Sequence, residues 1–115
     1  MHSIVSLISG RGSNLEAIVK TAAAKSWDVQ FTGVISNNPE AKGLEFARSQ
    51  GISTHVVNHR DFASREAFDQ ALMNEIDRLG ADLIVLAGFM RILTPAFIKH
   101  YEGRMINIHP SLLPL

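Results

Sequence analysis

Ser3-Ile4-Val5-Ser6-Leu7-Ile8-Ser9-Gly10-Arg11-Gly12-Ser13-Asn14-Leu15-Glu16 changes its hydrophobic period halfway, and that change decides the fold. From Ser3 to Ser9 the run is short, rich in β-branched residues and stopped by Gly10, which suits a largely buried strand better than a helix. Beyond the glycines, Leu15, Ile18, Val19 and Ala22 follow the i, i+3, i+4, i+7 spacing of one helical face. Ser13-Asn14-Leu15-Glu16 has the form of a capping box, so the pattern predicts a helix starting at Ser13.

The same alternation runs through the rest of the chain. Val29 to Ile35 reads as a second strand, ended by Ser36-Asn37-Asn38-Pro39, a turn followed by a helix start with proline near its first position. Leu44 and Ala47 continue that helix and Gly51 stops it. A weaker strand from Ser53 to Val57 leads into a long helix with Ala67, Phe68, Ala71, Leu72, Ile76 and Leu79 on one stripe, ended by Gly80. Leu83 to Ala87 is continuously apolar, as a central parallel strand covered on both faces should be. Thr94-Pro95 caps a short helix through Tyr101, and Met105 to Ile108 is a fifth strand. Strand, helix and strand in steady alternation imply an α/β, Rossmann-like fold: an open, mostly parallel sheet with helices on both faces. Residues 1–115 read as a single domain. The chain stops just after a strand, where such folds send a helix back over the sheet, so it is expected to be the amino-terminal part of a longer domain. A homodimer is among the expected partners, although an uncovered face and an unpaired sheet edge there would also cause association or aggregation that only resembles oligomerisation.

Composition narrows the function. The chain has 115 residues, 46% apolar and 19% charged, and eleven Lys and Arg balance eleven Asp and Glu. With no run of like charge, nucleic acid and membrane surfaces are not expected partners. The longest apolar stretch, Leu83 to Met90, falls well short of the roughly 20 residues of a membrane span. No cysteine is present, which removes disulfides and thiolate metal sites. The amino end lacks a signal-peptide core, and the protein reads as cytoplasmic. His55 and His59 span a strand end and a loop, without the helix of a zinc H-E-x-x-H site, so no metal is expected; with His2 and His100 they read as surface or turn residues.

Ligands of open α/β sheets bind beyond the carboxyl ends of the strands, and three segments there carry chemistry. In Ser9-Gly10-Arg11-Gly12-Ser13-Asn14, two glycines allow close backbone approach, while free helix-start amides and the Ser13 hydroxyl can donate to an anion. Leu15 stands where a dinucleotide fingerprint needs its third glycine, and no Gly-Lys-Ser/Thr follows, so a single phosphate fits better; a tight turn with an ordinary cap is the competing reading. In Asn107-Ile108-His109-Pro110-Ser111, Asn107 and His109 share one face of a strand. An amide donor beside an imidazole can stabilise an oxyanion and move a proton, as acyl transfer to an amine requires. Gly88-Phe89-Met90-Arg91-Ile92-Leu93 forms an apolar lip suited to a flat heterocycle, or simply to core packing. Arg65 lies at a helix start, where a cation gains nothing from the helix dipole.

Taken together, Ile8 to Leu15, Leu86 to Leu93 and Ile106 to Pro114 resemble the corresponding motifs of the folate-dependent formyltransferase family, in its glycinamide ribonucleotide branch, across the whole chain and in order. Gly12-Ser13-Asn14 with His109-Pro110-Ser111 favours that purine branch over the methionyl-tRNA formyltransferases and formyltetrahydrofolate deformylases. The resemblance implies formyl transfer from 10-formyltetrahydrofolate, as cosubstrate, to the amine of glycinamide ribonucleotide. It also implies roles: Gly12, Ser13 and Asn14 for the ribonucleotide phosphate; Arg65, Met90, Arg91, Ile92 and Leu93 for the folate; Asn107 to orient the formyl group; His109 as proton donor. Family members continue through an aspartate that pairs with the catalytic histidine, more of the folate pocket and a long helix, none of which lies within residues 1–115. The isolated chain is therefore expected to be poorly active, because the imidazolium lacks its carboxylate support. The competing functions are a non-catalytic phosphate-binding module and a formyltetrahydrofolate hydrolase.

Overall fold

In a computed structural model, which describes residues 1–108, strand β1 (His2–Ile8) occupies the middle of the sheet. Its residues from Ile4 to Ile8 are buried without interruption, because helices cover them on both sides. The other strands are β2 (Val29–Ser36), β3 (Thr54–Val56), β4 (Leu83–Leu86) and β5 (Met105–Asn107). Their order is β3-β2-β1-β4-β5, and every pairing is parallel. The chain thus builds outward in one direction from β1, then returns to its other side with β4. That reversal opens a crevice at the carboxyl ends of β1 and β4, where ligands of this architecture sit.

Reversal also changes which face the helices cover. Helices α1 (Ser13–Ala24) and α2 (Gly43–Ser49) bury Leu15, Ile18, Leu44 and Ala47 against Ile4, Ile8, Val34 and Val85. Helices α3 (Arg65–Leu79) and α4 (Pro95–His100) bury Phe68, Leu72, Ile76 and Phe97, with Tyr101, against Val5, Leu7, Ile35 and Ile84. The two faces therefore alternate along β1 with the period-2 pattern that its uninterrupted apolar run conceals. One irregularity interrupts the ladder. The register between β1 and β2 shifts between Ile4 and Val5, leaving Thr32 as an extra residue on β2 whose hydroxyl donates to Ile4 O at 3.3 Å.

Two local expectations are corrected. Helix α1 starts at Ser13 as the sequence predicts, but no capping box forms: its N-cap is Gly12, in the left-handed region at φ 78°, with no side-chain cap. Glu16 instead turns outward to pair with Lys20 at 2.6 Å, one helical turn on. The second helix does not start at Pro39 either; Pro39 and Glu40 form a turn, and α2 begins at Gly43. The Asn38 side chain accepts from Glu40 N–H there, an Asx turn that competes with helix nucleation. By contrast, Ser64 and Thr94 cap α3 and α4 through Ala67 and Phe97 N–H.

Candidate active site at the carboxyl edge of the sheet

The first loop is shaped by two glycines that touch. A Cβ on Gly12 would lie 2.5 Å from the Cα of Gly43, and a Cβ on Gly43 would lie 2.6 Å from Ile8 Cδ1. Gly43 N–H also donates to Gly10 O at 3.1 Å, tying the start of α2 to the loop. The first intrahelical bond of α1 runs from Glu16 N–H to Gly12 O at 2.8 Å, so the amides of Ser13, Asn14 and Leu15 have no acceptor inside the helix. With no side chain capping them, these amides and the positive end of the helix dipole suit an anion. Ser13 is exposed, and its hydroxyl makes no hydrogen bond among the described residues. A cleft of about 230 Å³ opens here, lined by Ser9 to Asn14 and by Ala87, Gly88 and Met90.

Asn14 connects this loop to the ends of β4 and β5. Its Nδ2 donates to Ile108 O at 3.3 Å, and a Cβ on Gly88 would lie 3.5 Å from that same nitrogen. Ile108 packs toward the α1 and α2 side and its N–H continues the ladder to Leu86 O at 2.9 Å. Asn107, paired in register with Leu86, is exposed. The first loop and the end of β5 thus belong to one edge, joined through the Ile108 carbonyl next to Asn107. His109 lies outside the described residues.

The lip follows β4. Met90 is 80% and Ile92 72% exposed, while Phe89 and Leu93 pack into the α3 and α4 side. The Arg91 guanidinium lies over the Phe68 ring, 5.7 Å from its centroid. Two large apolar side chains presented beside a polar cleft are more than core packing requires. Arg65, exposed, is the first residue of α3, one turn before Asp69.

Three functional neighbours were missed in the sequence. Ser9 Oγ donates to Asn37 Oδ1 at 2.5 Å and accepts from Met90 N–H at 2.8 Å, so one hydroxyl links β1, the turn after β2 and the lip. Asn37 is buried and its amide faces His59 Nδ1 at 3.1 Å. Asp69, discussed below, accepts from Thr94 N–H. Only Asp69 had a signal: a carboxylate beside Phe68 in the buried phase of an apolar stripe. His55 also differs from a plain surface residue, since it is half-buried on β3 between Ser53 and Glu75. On that flank the hydrogen bond from Arg78 holds the Glu75 carboxyl below its ordinary range against the opposing effect of burial. Burial, then a hydrogen bond to Asp77, pushes the Tyr101 phenol up. No helix of the described residues is long and apolar enough to cross a membrane. No group of three or more His, Asp or Glu gathers there as a metal site would require.

The doubly wound sheet, with an uncapped glycine loop and an Asn-bearing strand end at its switch point, defines a Rossmann-like α/β domain with a crevice at that point. The formyl transferase family profile matches residues 2–115, and the chain belongs to that family. It is 54% identical over 112 residues to the phosphoribosylglycinamide formyltransferase of Escherichia coli K12, covering 97% of this chain and 53% of that protein. It is 44% identical over 108 residues to the human trifunctional purine biosynthetic protein adenosine-3, covering 94% of this chain and 11% of that protein. Among solved structures, the Coxiella burnetii phosphoribosylglycinamide formyltransferase superposes with a TM-score of 0.89 at 49% identity, covering 94% of this chain and 51% of that one. The Brucella melitensis enzyme gives 0.88 at 47%, covering 99% and 59%. The chain thus spans about half the length of the single-function relatives it matches.

Proposed function

We propose that residues 1–115 form the amino-terminal, nucleotide-binding part of a phosphoribosylglycinamide formyltransferase, a soluble cytoplasmic enzyme of purine biosynthesis. It takes 10-formyltetrahydrofolate as cosubstrate and glycinamide ribonucleotide as acceptor. The observation that carries this reading is the bond from Asn14 Nδ2 to Ile108 O. It joins the anion-binding loop to the carbonyl between Asn107 and His109, so phosphate and reacting amine can be held by one edge.

In this reading the free amides of the α1 start and the Ser13 hydroxyl hold the ribonucleotide phosphate, with Gly12 giving close approach and Asn14 fixing the loop. Met90, Arg91, Ile92 and Leu93, with Arg65, hold the folate. The substrate amine attacks the formyl carbon and Asn107 donates to the developing oxyanion; as the C–N bond to the folate breaks, the departing nitrogen takes a proton from His109, which the proton lost by the attacking amine replaces. A homodimer would have the outer edge of β3, which is unpaired among the described residues, as a place to form. Glycinamide ribonucleotide should bind the protein, and His109→Ala should abolish formyl transfer while leaving ribonucleotide affinity within about twofold. Loss of ribonucleotide affinity along with transfer would overturn the role given to His109. Formate release from 10-formyltetrahydrofolate without ribonucleotide would establish the hydrolase reading instead.

A further inference from the structure

Among the described residues, Asp69 keeps a buried carboxyl oxygen, Oδ1, without a hydrogen-bond partner. The residue is 1% exposed and sits on α3 between Phe68 and the apolar stripe. Its other oxygen accepts from Thr94 N–H at 2.6 Å. No ion pair among the described residues includes it. A buried acid with one oxygen unsatisfied is a local cost to stability, and natural chains retain such costs chiefly where function needs them.

The single bond that Asp69 makes falls at a telling place. Thr94 directly follows Leu93, so Asp69 fastens the carboxyl end of the lip. Ser9 Oγ fastens the other end through Met90 N–H at 2.8 Å, and Phe68 holds the Arg91 guanidinium between them. Inside these three restraints, Met90 and Ile92 face outward. A segment fixed before its ligand arrives spares the ligand the entropy of ordering it.

We propose that Asp69 is a positioning residue for the folate cosubstrate, acting through Thr94 N–H to hold the carboxyl half of the lip, with its outward Ile92, as part of a preformed seat for a flat heterocycle that Asp69 itself never touches. The proposal rests on the functional reading above. Two variants in the full chain test it. Asp69→Asn keeps a carbonyl acceptor for Thr94 and Asp69→Ala keeps none. In Asp69→Ala, Thr94 amide exchange should quicken by about tenfold or more and affinity for a non-reactive formyl-folate analogue should fall by about tenfold, with Met90 exchange and ribonucleotide affinity within about twofold of wild type. Asp69→Asn should restore most of both losses and melt no lower than wild type. Unchanged Thr94 exchange, or a parallel fall in both ligand affinities and in Tm, would overturn the proposal. A wild-type protein that binds no folate analogue would overturn the functional reading and the proposal with it; that failure is recognised because Thr94 exchange still separates Ala from wild type.

Discussion

The first loop and the lip face each other across one cleft, yet they are held by different means. The loop is built from backbone against backbone: Gly12 rests on Gly43, and Gly43 N–H bonds Gly10 O. The lip is held by side chains from distant elements, namely Ser9, Phe68 and Asp69. Backbone contact leaves no room for substitution and suits a compact anion. Side-chain fasteners leave the lip's own residues free to point outward, and suit a broad apolar ligand. The comparison teaches that within one crevice close backbone packing can shape one wall, tied to the strand end by the single Asn14 bond, while side-chain fasteners shape the other.

Changes at each wall should separate the two. The largest effect is expected from Phe68→Ala, which empties a fully buried ring site on the α3 face and frees Arg91. It should cost about 3–5 kcal/mol in urea denaturation. Gly12→Ala should cost about 2–4 kcal/mol, from left-handed strain together with overlap on Gly43, and should abolish ribonucleotide binding. Preserved binding in that variant would break the contrast, by showing that the loop can yield. Ser9→Ala addresses the one residue common to both walls; a loss of about 1–2 kcal/mol, with faster exchange at Met90, is expected. Ser13→Ala should leave stability unchanged and weaken ribonucleotide binding by about 1 kcal/mol. Equal affinity would reduce the loop to a structural turn.

The smallest effect belongs to a flank outside the comparison. Glu75 is held below its ordinary value near 4.5, first by the Arg78 hydrogen bond, and His55 lies beside it. A lowered carboxyl pKa stabilises the fold at pH above about 4.5, and that contribution is lost as pH falls through the lower folded value. Thermal melts of wild type and Glu75→Gln should therefore differ slightly near neutrality and converge in acid. Ligand affinity at either wall should be the same in both proteins at neutral pH.

How legible each part was in the sequence follows from the range of the forces involved. The strand order and the chain reversal at β4 rest on pairings between distant segments, whereas strand and helix periods are local, so the alternation and the mostly parallel sheet followed from residues such as Leu83 to Ala87. The glycines of the first loop were legible for the same reason. The capping box at Ser13 misled because its pattern ignores Gly43, thirty residues later, which is the contact that makes Gly12 the cap. Pro39 misled because Asn38 turned its side chain onto Glu40 N–H and delayed α2. The roles of Ser9 and Asn37 were hidden because each depends on a partner in another βα unit. Asp69 was missed as well, although a carboxylate in the buried phase of its helix's apolar stripe is a local conflict that the pattern carries.

The extra residue in β2 reaches further than the ladder it interrupts. Val29 and Phe31 pack on the α1 side, and so does Val34, three positions on from Phe31, where strict alternation would send it to the other face. Thr32 therefore resets the parity of everything downstream on that strand, including the segment that delivers Asn37 to Ser9 Oγ. Deleting this one residue would leave a more regular strand with its carboxyl half upside down, its hydrophobic groups exchanged between faces. A hydroxyl contact at the cleft is thus metered by a count made five residues earlier, so the odd number in β2 belongs to the site as much as the side chains that line it.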